Sequence, residues 1–272
     1  MEKLTHYQNT SVPQDATLLG DDIVTFSVLA AILQTPCTDI YTNHKSVILC
    51  YSTAPYPVWV WCKDLQNSED VALIAQCLKE NFPFEKGFYW NIEERLLQKL
   101  QGVDLYFADV QKGMQLLSYR LDTLNTIDRP IDGHIAIATQ QDIPVLCKLW
   151  HDMHFEMEGF TFTDEQCLTE VQNYVGKNAF YVVKDDSGNI LATAIRWDDE
   201  HYCKVSAVYT LPEHRRKGYA INLVHHVAKD IMKDGKTPIL YTDASYGASN
   251  ECYQKIGFQQ VGSLVAVKRE EE

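Results

Sequence analysis

The sequence predicts an α/β protein of two domains, the N-terminal one the smaller. Three observations carry this. At 272 residues the chain is longer than one ordinary domain needs. Alternating strand-like runs and helical stripes occur in both halves. Between the halves lies a polar segment, 127–133 (IDRPIDG), punctuated by Pro130 and Gly133. The expected domains are therefore 1–130 and 131–272. With 46% of residues apolar, each can bury its own core.

The first half opens with a helical run at 22–34 (DIVTFSVLAAILQ), stopped before Pro36. Two strands follow, 46–52 (SVILCYS) and 58–62 (VWVWC), separated by the turn-prone 53–57. Ser68 is the expected N-cap of a helix over 69–81, with Glu69 and Asp70 in its first turn, where the helix dipole favours acids. A strand near 87–90, a short helix at 92–100 and strands around 104–109 and 114–120 complete it. This half contains no glycine-rich loop, metal-ligand cluster or nucleophile motif.

In the second half, 134–139 (HIAIAT) alternates as a strand, and 142–156 is helical, with Pro144 tolerated in its first turn. Asp164 caps a second helix running to about Val175. Strands at 179–184 and 190–197 are joined by 185–189 (DDSGN), a hairpin-turn composition, and 202–210 is a third long strand. Apolar residues at 221, 224, 228 and 231 make 218–232 a helix. A strand at 238–243, a helix at 248–256 and a strand or strand pair over 258–268 end the order β-α-α-β-β-β-α-β-α-β.

Charge narrows the partners. The formal net charge of -13 is spread over both halves, with six excess acids in 1–130 and seven in 131–272. Such a surface repels phosphate backbones, so neither nucleic acid nor an anionic membrane is expected, and a cationic amine fits better. The first residues lack a basic segment leading into an apolar stretch, and no run reaches the ~18–20 apolar residues of a membrane span. Eight cysteines without a C-x-x-C pair read as reduced, buried thiols of a cytoplasmic protein.

The most informative segment is 208–220 (VYTLPEHRRKGYA), where a strand ends, a basic turn follows and an amphipathic helix begins. Helix N-termini leave N–H groups unpaired and carry about half a positive charge, so they attract phosphate. Gly218 permits close approach and unusual φ, Ala220 keeps the first turn open, and Arg215, Arg216 and Lys217 add positive charge. These properties suit a diphosphate; a solvated basic turn before a surface helix is the plainer alternative. The spacing matches neither G-x-G-x-x-G nor G-x-x-x-x-G-K-[ST], which excludes the nicotinamide and nucleoside-triphosphate fingerprints.

Here the sequence resembles the GNAT acetyltransferase superfamily. Arg215, Gly218 and Ala220 match its [RQ]-x-x-G-x-[GA] turn, and 250–258 (NECYQKIGF) looks like its closing N-x-x-Y-x-x-[IL]-G-F motif. The resemblance covers about 131–268. It implies a twisted, mostly antiparallel sheet flanked by helices, split between the strand ending near Tyr209 and the strand over 238–243. It also implies acetyl-CoA as co-substrate. The pantetheine arm would bond the main chain of Ala207, Val208 and Tyr209, and the pyrophosphate the amides of Arg216, Lys217, Gly218, Tyr219 and Ala220, beside Arg215. Asn250 would contact the cofactor, and the Tyr253 hydroxyl would point at the thioester sulfur as general acid. Asn250 and Tyr253, three apart, share a helix face, and Gly257 is the expected left-handed C-cap.

These readings lead to an N-acetyltransferase moving acetyl from acetyl-CoA to a primary amine, on a small molecule or a peptide, by direct attack. Two alternatives are a non-catalytic acyl-CoA-binding module and a transferase using another donor, such as an aminoacyl group. Glu156, Glu158, Glu200, His201 and Asp243 are all candidate general bases, and the spacing selects none. His151 and His154 lack the further ligands zinc requires, so no metal is expected. The loop 155–162, by family analogy, lines the acceptor site. Cys252 lacks a histidine partner, so no covalent intermediate is expected. The N-terminal half has the rhythm of a degenerate GNAT-like copy without the phosphate turn; it would wall the acceptor site or form a homodimer contact.

Overall fold

A computed structural model describes residues 3–159, 162–200 and 202–269; of Glu158 it describes the backbone only. The chain forms two compact units. Unit 1 takes Met1–Ser118, Thr242–Tyr246 and Gln260–Glu272; unit 2 takes Tyr119–Tyr241 and Gly247–Gln259.

In unit 1, β1 (Thr5–Thr10) leads through a 3-10 stretch, Pro13–Ile23, to α1 (Ser27–Gln34). The helix expected from residue 22 thus starts later, after the 3-10 stretch that carries Gly20 at φ 49°. Next come β2 (Cys37–Thr42), β3 (Val47–Tyr51), β4 (Val58–Cys62), α2 (Ser68–Asn81), β5 (Trp90–Ile92), α3 (Glu94–Val103) and β6 (Gln111–Arg120). The strand expected at 104–109 is instead a 3-10 turn, Leu105–Phe107, whose start is capped by the Asp104 side chain. Strand alternation builds two cores. Val58, Val60 and Cys62 pack with Ile74, Leu78 and Leu97 on one face; Trp59 and Trp61 pack with Phe26, Leu29 and Leu33 on the other.

Unit 2 runs β7 (His134–Ile137), α4 (Ile143–Glu158), α5 (Asp164–Gly176), β8 (Phe180–Lys184), β9 (Ile190–Asp198), β10 (Tyr202–Thr210), α6 (Tyr219–Lys233), β11 (Thr237–Asp243) and α7 (Gly247–Ile256). The α5 cap is Thr163 rather than Asp164: its hydroxyl accepts from the Gln166 N–H while the Gln166 side chain accepts from the Thr163 N–H. β7, β8, β9 and β10 pair antiparallel in sequence, and β10 then pairs parallel with β11 across the α6 crossover. One core lies between this sheet and α4 and α5; α6 buries Leu223, Val224, Val227 and Ile231.

The last strand, β12 (Gln259–Lys268), pairs antiparallel with β5, so the closing strand expected in the C-terminal domain belongs to unit 1. Its alternation explains why: Leu264 enters one core of unit 1, and Val265 and Val267 the other. Unit 1 is no smaller than unit 2. The linker-like 127–133 is not where the units part. Its neighbourhood is bonded inside unit 2, with the Leu121 N–H on Pro238 O at 2.9 Å and the Asn125 N–H on Ile256 O at 2.9 Å. Unit 1 repeats the pairing pattern of unit 2: β1, β2, β3 and β4 are antiparallel in order, then β4 and β5 pair parallel across α2.

Candidate cofactor-binding and active site

Every candidate site residue except Asp243, which belongs to unit 1, lies in unit 2. The parallel pairing of β10 with β11 covers only Tyr202↔Thr237, Cys203↔Pro238 and Lys204↔Ile239. Beyond Lys204 the edge of β10 has no β11 partner. There the register with β9 also shifts between Ser206 and Tyr209, and Ala207 takes φ 49°. A strand that gains one residue with left-handed backbone is a bulge, and it turns Ala207, Val208 and Tyr209 out of the flat ladder. An extended chain could be bonded at that edge by the main chain.

From Thr210 the chain passes a 3-10 turn, Pro212–His214, and reaches α6 through Arg216 at φ 63° and Gly218 at φ 94°. Gly218 is the N-cap and supplies no side chain to the helix start. The N–H groups of Arg216, Lys217, Gly218, Tyr219 and Ala220 donate to no acceptor among the described residues. Consecutive free amides around two left-handed residues form a concave donor surface at the positive end of a helix.

The three basic side chains divide. Arg215 is occupied: its Nη2 lies 2.6 Å from Glu156 Oε2, its Nε donates to Thr210 O at 3.0 Å, and it stands 5.5 Å from the Tyr209 ring centroid. It therefore closes the turn, while Arg216 and Lys217 form no ion pair among the described residues. A third cation, Arg129, is absent from the sequence-based expectations. Its Nη2 donates to Arg216 O at 2.7 Å, and Asn222 holds its carbonyl at 2.8 Å. A Cβ at Gly218 would stand 2.8 Å from Arg129 Nε. No sequence signal could have found it, because Arg129 lies 87 residues from its partner and inside a segment that reads as a linker.

On α7, Asn250 is half-buried and Tyr253 is buried, its ring meeting Phe258 edge-on at 6.2 Å. Burial pushes the Tyr253 phenol well above its ordinary value, so it is neutral at physiological pH. No described protein group accepts from its hydroxyl. Gly257 has φ 115°, and a Cβ there would meet Thr123 O at 2.3 Å, so glycine is required both by the backbone and by the crossing chain. The Phe258 N–H bonds Tyr253 O at 3.1 Å, closing the helix as a left-handed cap does. Beside it, burial pushes the Cys252 thiol up to about 11, leaving a poor nucleophile.

The candidate bases separate too. Glu156 accepts from Arg215 and from the Tyr209 hydroxyl at 3.2 Å, and the guanidinium holds its carboxyl below the usual range. That weakens it as a base. Asp243 accepts from the Ser245 N–H at 2.8 Å, and Glu200 is exposed. The Glu158 side chain, His201, and Phe160 and Thr161 of the expected acceptor loop lie outside the described residues. His154 meets Phe162 edge-on at 4.8 Å, and His151 pairs with Asp164 at 3.2 Å. Among the described residues no three His, Cys, Asp or Glu side chains are grouped to hold a metal, and no helix is long and apolar enough to cross a membrane.

The matching turn of unit 1 is built differently. Asn67 caps α2 by accepting from the Glu69 N–H at 3.1 Å, and Asp64 accepts from the Gln66 N–H at 2.9 Å. With Glu69 exposed in the first turn and Asp70 buried beside it, this helix start already carries negative charge, which repels an incoming phosphate.

Residues 182–267 match the model of the FR47-like protein family. No curated protein matches the chain. Among solved structures, a GCN5-related N-acetyltransferase from Sphaerobacter thermophilus is similar at TM-score 0.71 and 12% identity, over 96% of this chain and 94% of that one. A Drosophila protein gives TM-score 0.67 and 15% identity over 99% of each. A GNAT-family acetyltransferase from Colwellia psychrerythraea gives 0.63 and 13%, over 98% of this chain and 100% of that one. This chain therefore has the fold of the GNAT N-acetyltransferases, and its residues 182–267 match the FR47-like family.

Proposed function

We propose that the chain is an acetyl-CoA-dependent N-acetyltransferase acting on a primary amine carried by a small molecule or peptide in the cytoplasm. The observation that carries this is the turn before α6: five amides without acceptors, framed by Arg129, Arg216 and Lys217, three cations without acidic partners among the described residues. In a chain of net charge -13, unneutralised cations gathered at an uncapped helix start call for an anion from outside. A diphosphate there would let the pantetheine follow the bulged edge of β10 toward α7.

The chemistry balances without a covalent enzyme intermediate. The amine nitrogen attacks the thioester carbonyl, the C–N bond forms, the C–S bond breaks, and the amine's proton leaves to solvent or a base. Tyr253 donates a hydrogen bond to the sulfur as it gains charge. A thiolate near pKa 8.5 is less basic than a phenolate above 10, so full proton transfer is uphill by more than roughly 2 kcal/mol. Burial of Tyr253 raises that cost, which favours charge stabilisation by its hydroxyl over complete transfer.

Titration calorimetry with CoA, followed by thiol release from acetyl-CoA over an amine panel, tests the reading. Binding with turnover of at least one amine is expected; absence of CoA binding refutes it.

A further inference from the structure

Lys204 stands at the closed end of the split, three residues before the bulge at Ala207. It is the last β10 residue paired with β11, and it pairs with Trp197 on β9. Its neighbour Ser206 pairs with Ile195, which is buried in the core shared with α4 and α5. Alternation places Lys204 on that same face. The C-terminal end of α4, with Phe155 and Glu156, reaches the same strand through the Glu156–Tyr209 bond.

The surroundings of this ammonium are unusual. Nζ lies 4.2 Å from the Trp197 ring centroid and 5.9 Å from that of Tyr241. Neither ring carries formal charge, and no carboxylate pairs with Lys204 among the described residues. The nearest acid in sequence on β9, Asp198, is engaged by Arg196 at 2.8 Å and Lys236 at 2.8 Å. Arg196 also holds Asp234 at 2.6 Å. Burial lowers the Lys204 amine to about 8, so at neutral pH it is a desolvated cation. Aromatic faces offset part of that desolvation and leave its N–H donors without an anionic acceptor.

In a strongly acidic protein, no acidic side chain among the described residues stands against this cation. The diphosphate has its own donors at the start of α6, so the missing partner is a different anion. One ammonium offers one charge, and the neighbouring Arg196 and Lys236 are already neutralised, which matches a carboxylate rather than a phosphate dianion. We propose that Lys204, between Trp197 and Tyr241, is a specificity residue that seats a carboxylate of the acceptor, so that the preferred substrates are amines that also carry a carboxylate. This deepens the acetyltransferase reading and rests on it.

Product-side probes test it without requiring turnover. N-acetylglycine and N-acetylphenylalanine, each beside its carboxamide, are titrated by calorimetry into the full chain with and without CoA. Wild type is expected to bind at least one carboxylate about tenfold tighter than its carboxamide (roughly 1.4 kcal/mol). Lys204→Met should bring the two members level, Lys204→Arg should keep most of the preference, and CoA affinity should hold within about twofold in both variants. Four results overturn the proposal: no wild-type preference, no binding of either member at millimolar concentration, equal weakening of both members by Lys204→Met, or weakened CoA binding in that variant. Failure of the acetyltransferase reading is separate, since it appears as wild type not binding CoA.

Discussion

Replacing Gly218 by alanine tests the phosphate turn at its most constrained point. The residue sits at φ 94°, where an L side chain is strained by roughly 1–3 kcal/mol. A Cβ would also come within 2.8 Å of Arg129 Nε and 3.0 Å of its Cδ, so the Arg129 side chain must move. Moving it breaks the 2.7 Å bond to Arg216 O, worth about 1 kcal/mol. The combined loss is roughly 2–4 kcal/mol. At about 2–4 °C per kcal/mol for chains of this size, Tm should fall by roughly 4–16 °C, read by a calorimetric or fluorescence melt. CoA affinity should fall at least about tenfold, because the amides tilt and one cation is displaced. Gly218→Glu shares the strain and adds a negative charge where the phosphates would sit, so its affinity should be lower again by about another tenfold. If the alanine variant melts and binds CoA like wild type, the turn does not depend on a left-handed residue and the reasoning fails. Equal losses for alanine and glutamate would remove the electrostatic part alone.

Tyr253→Phe keeps the ring against Phe258 and should lower kcat about tenfold or more while CoA affinity stays within about twofold; unchanged turnover rejects the hydroxyl's role. Glu156→Gln removes the partner of Arg215, and because both side chains are over one-third exposed the stability loss should stay below about 1 kcal/mol, which a larger fall in Tm would contradict. Lys204 makes a pH prediction. Its folded value of about 8 lies below the unfolded 10.4, so between those values the unfolded chain binds more protons and stability rises with pH. Below pH 8 both states are charged and the burial cost, on the order of 3 kcal/mol, is fully present in the folded state. Lys204→Met should therefore raise Tm at pH 7, with the gain closing as pH approaches 10; a gain independent of pH refutes the assignment.

Much of unit 2 was legible because its signals are local. Strand alternation in 202–210, the apolar stripe of α6 and the two spaced motifs each depend on residues a few positions apart, and each lies where the sequence placed it. Helix caps were less legible, since Asn67 and Thr163 each stand one residue before the residue expected to act as cap. Several adjacent polar residues compete for that role, and backbone geometry selects among them. The strand expected at 104–109 failed because Asp104 offers its side chain to the Tyr106 N–H, starting a turn where apolar content alone suggested a ladder.

By itself, the sequence determined the order of elements, the glycines at 218 and 257, and a helix start suited to an anion, all of which follow from short-range patterns. Only the tertiary structure decided which cations remain unpaired there: Arg215 is drawn to Glu156, 59 residues away, and Arg129 arrives from a segment that reads as a linker. It alone also assigned β12 to unit 1 and left Lys204 between two rings with no acid beside it among the described residues. Charge pairing and strand exchange depend on through-space distance, which sequence separation does not encode.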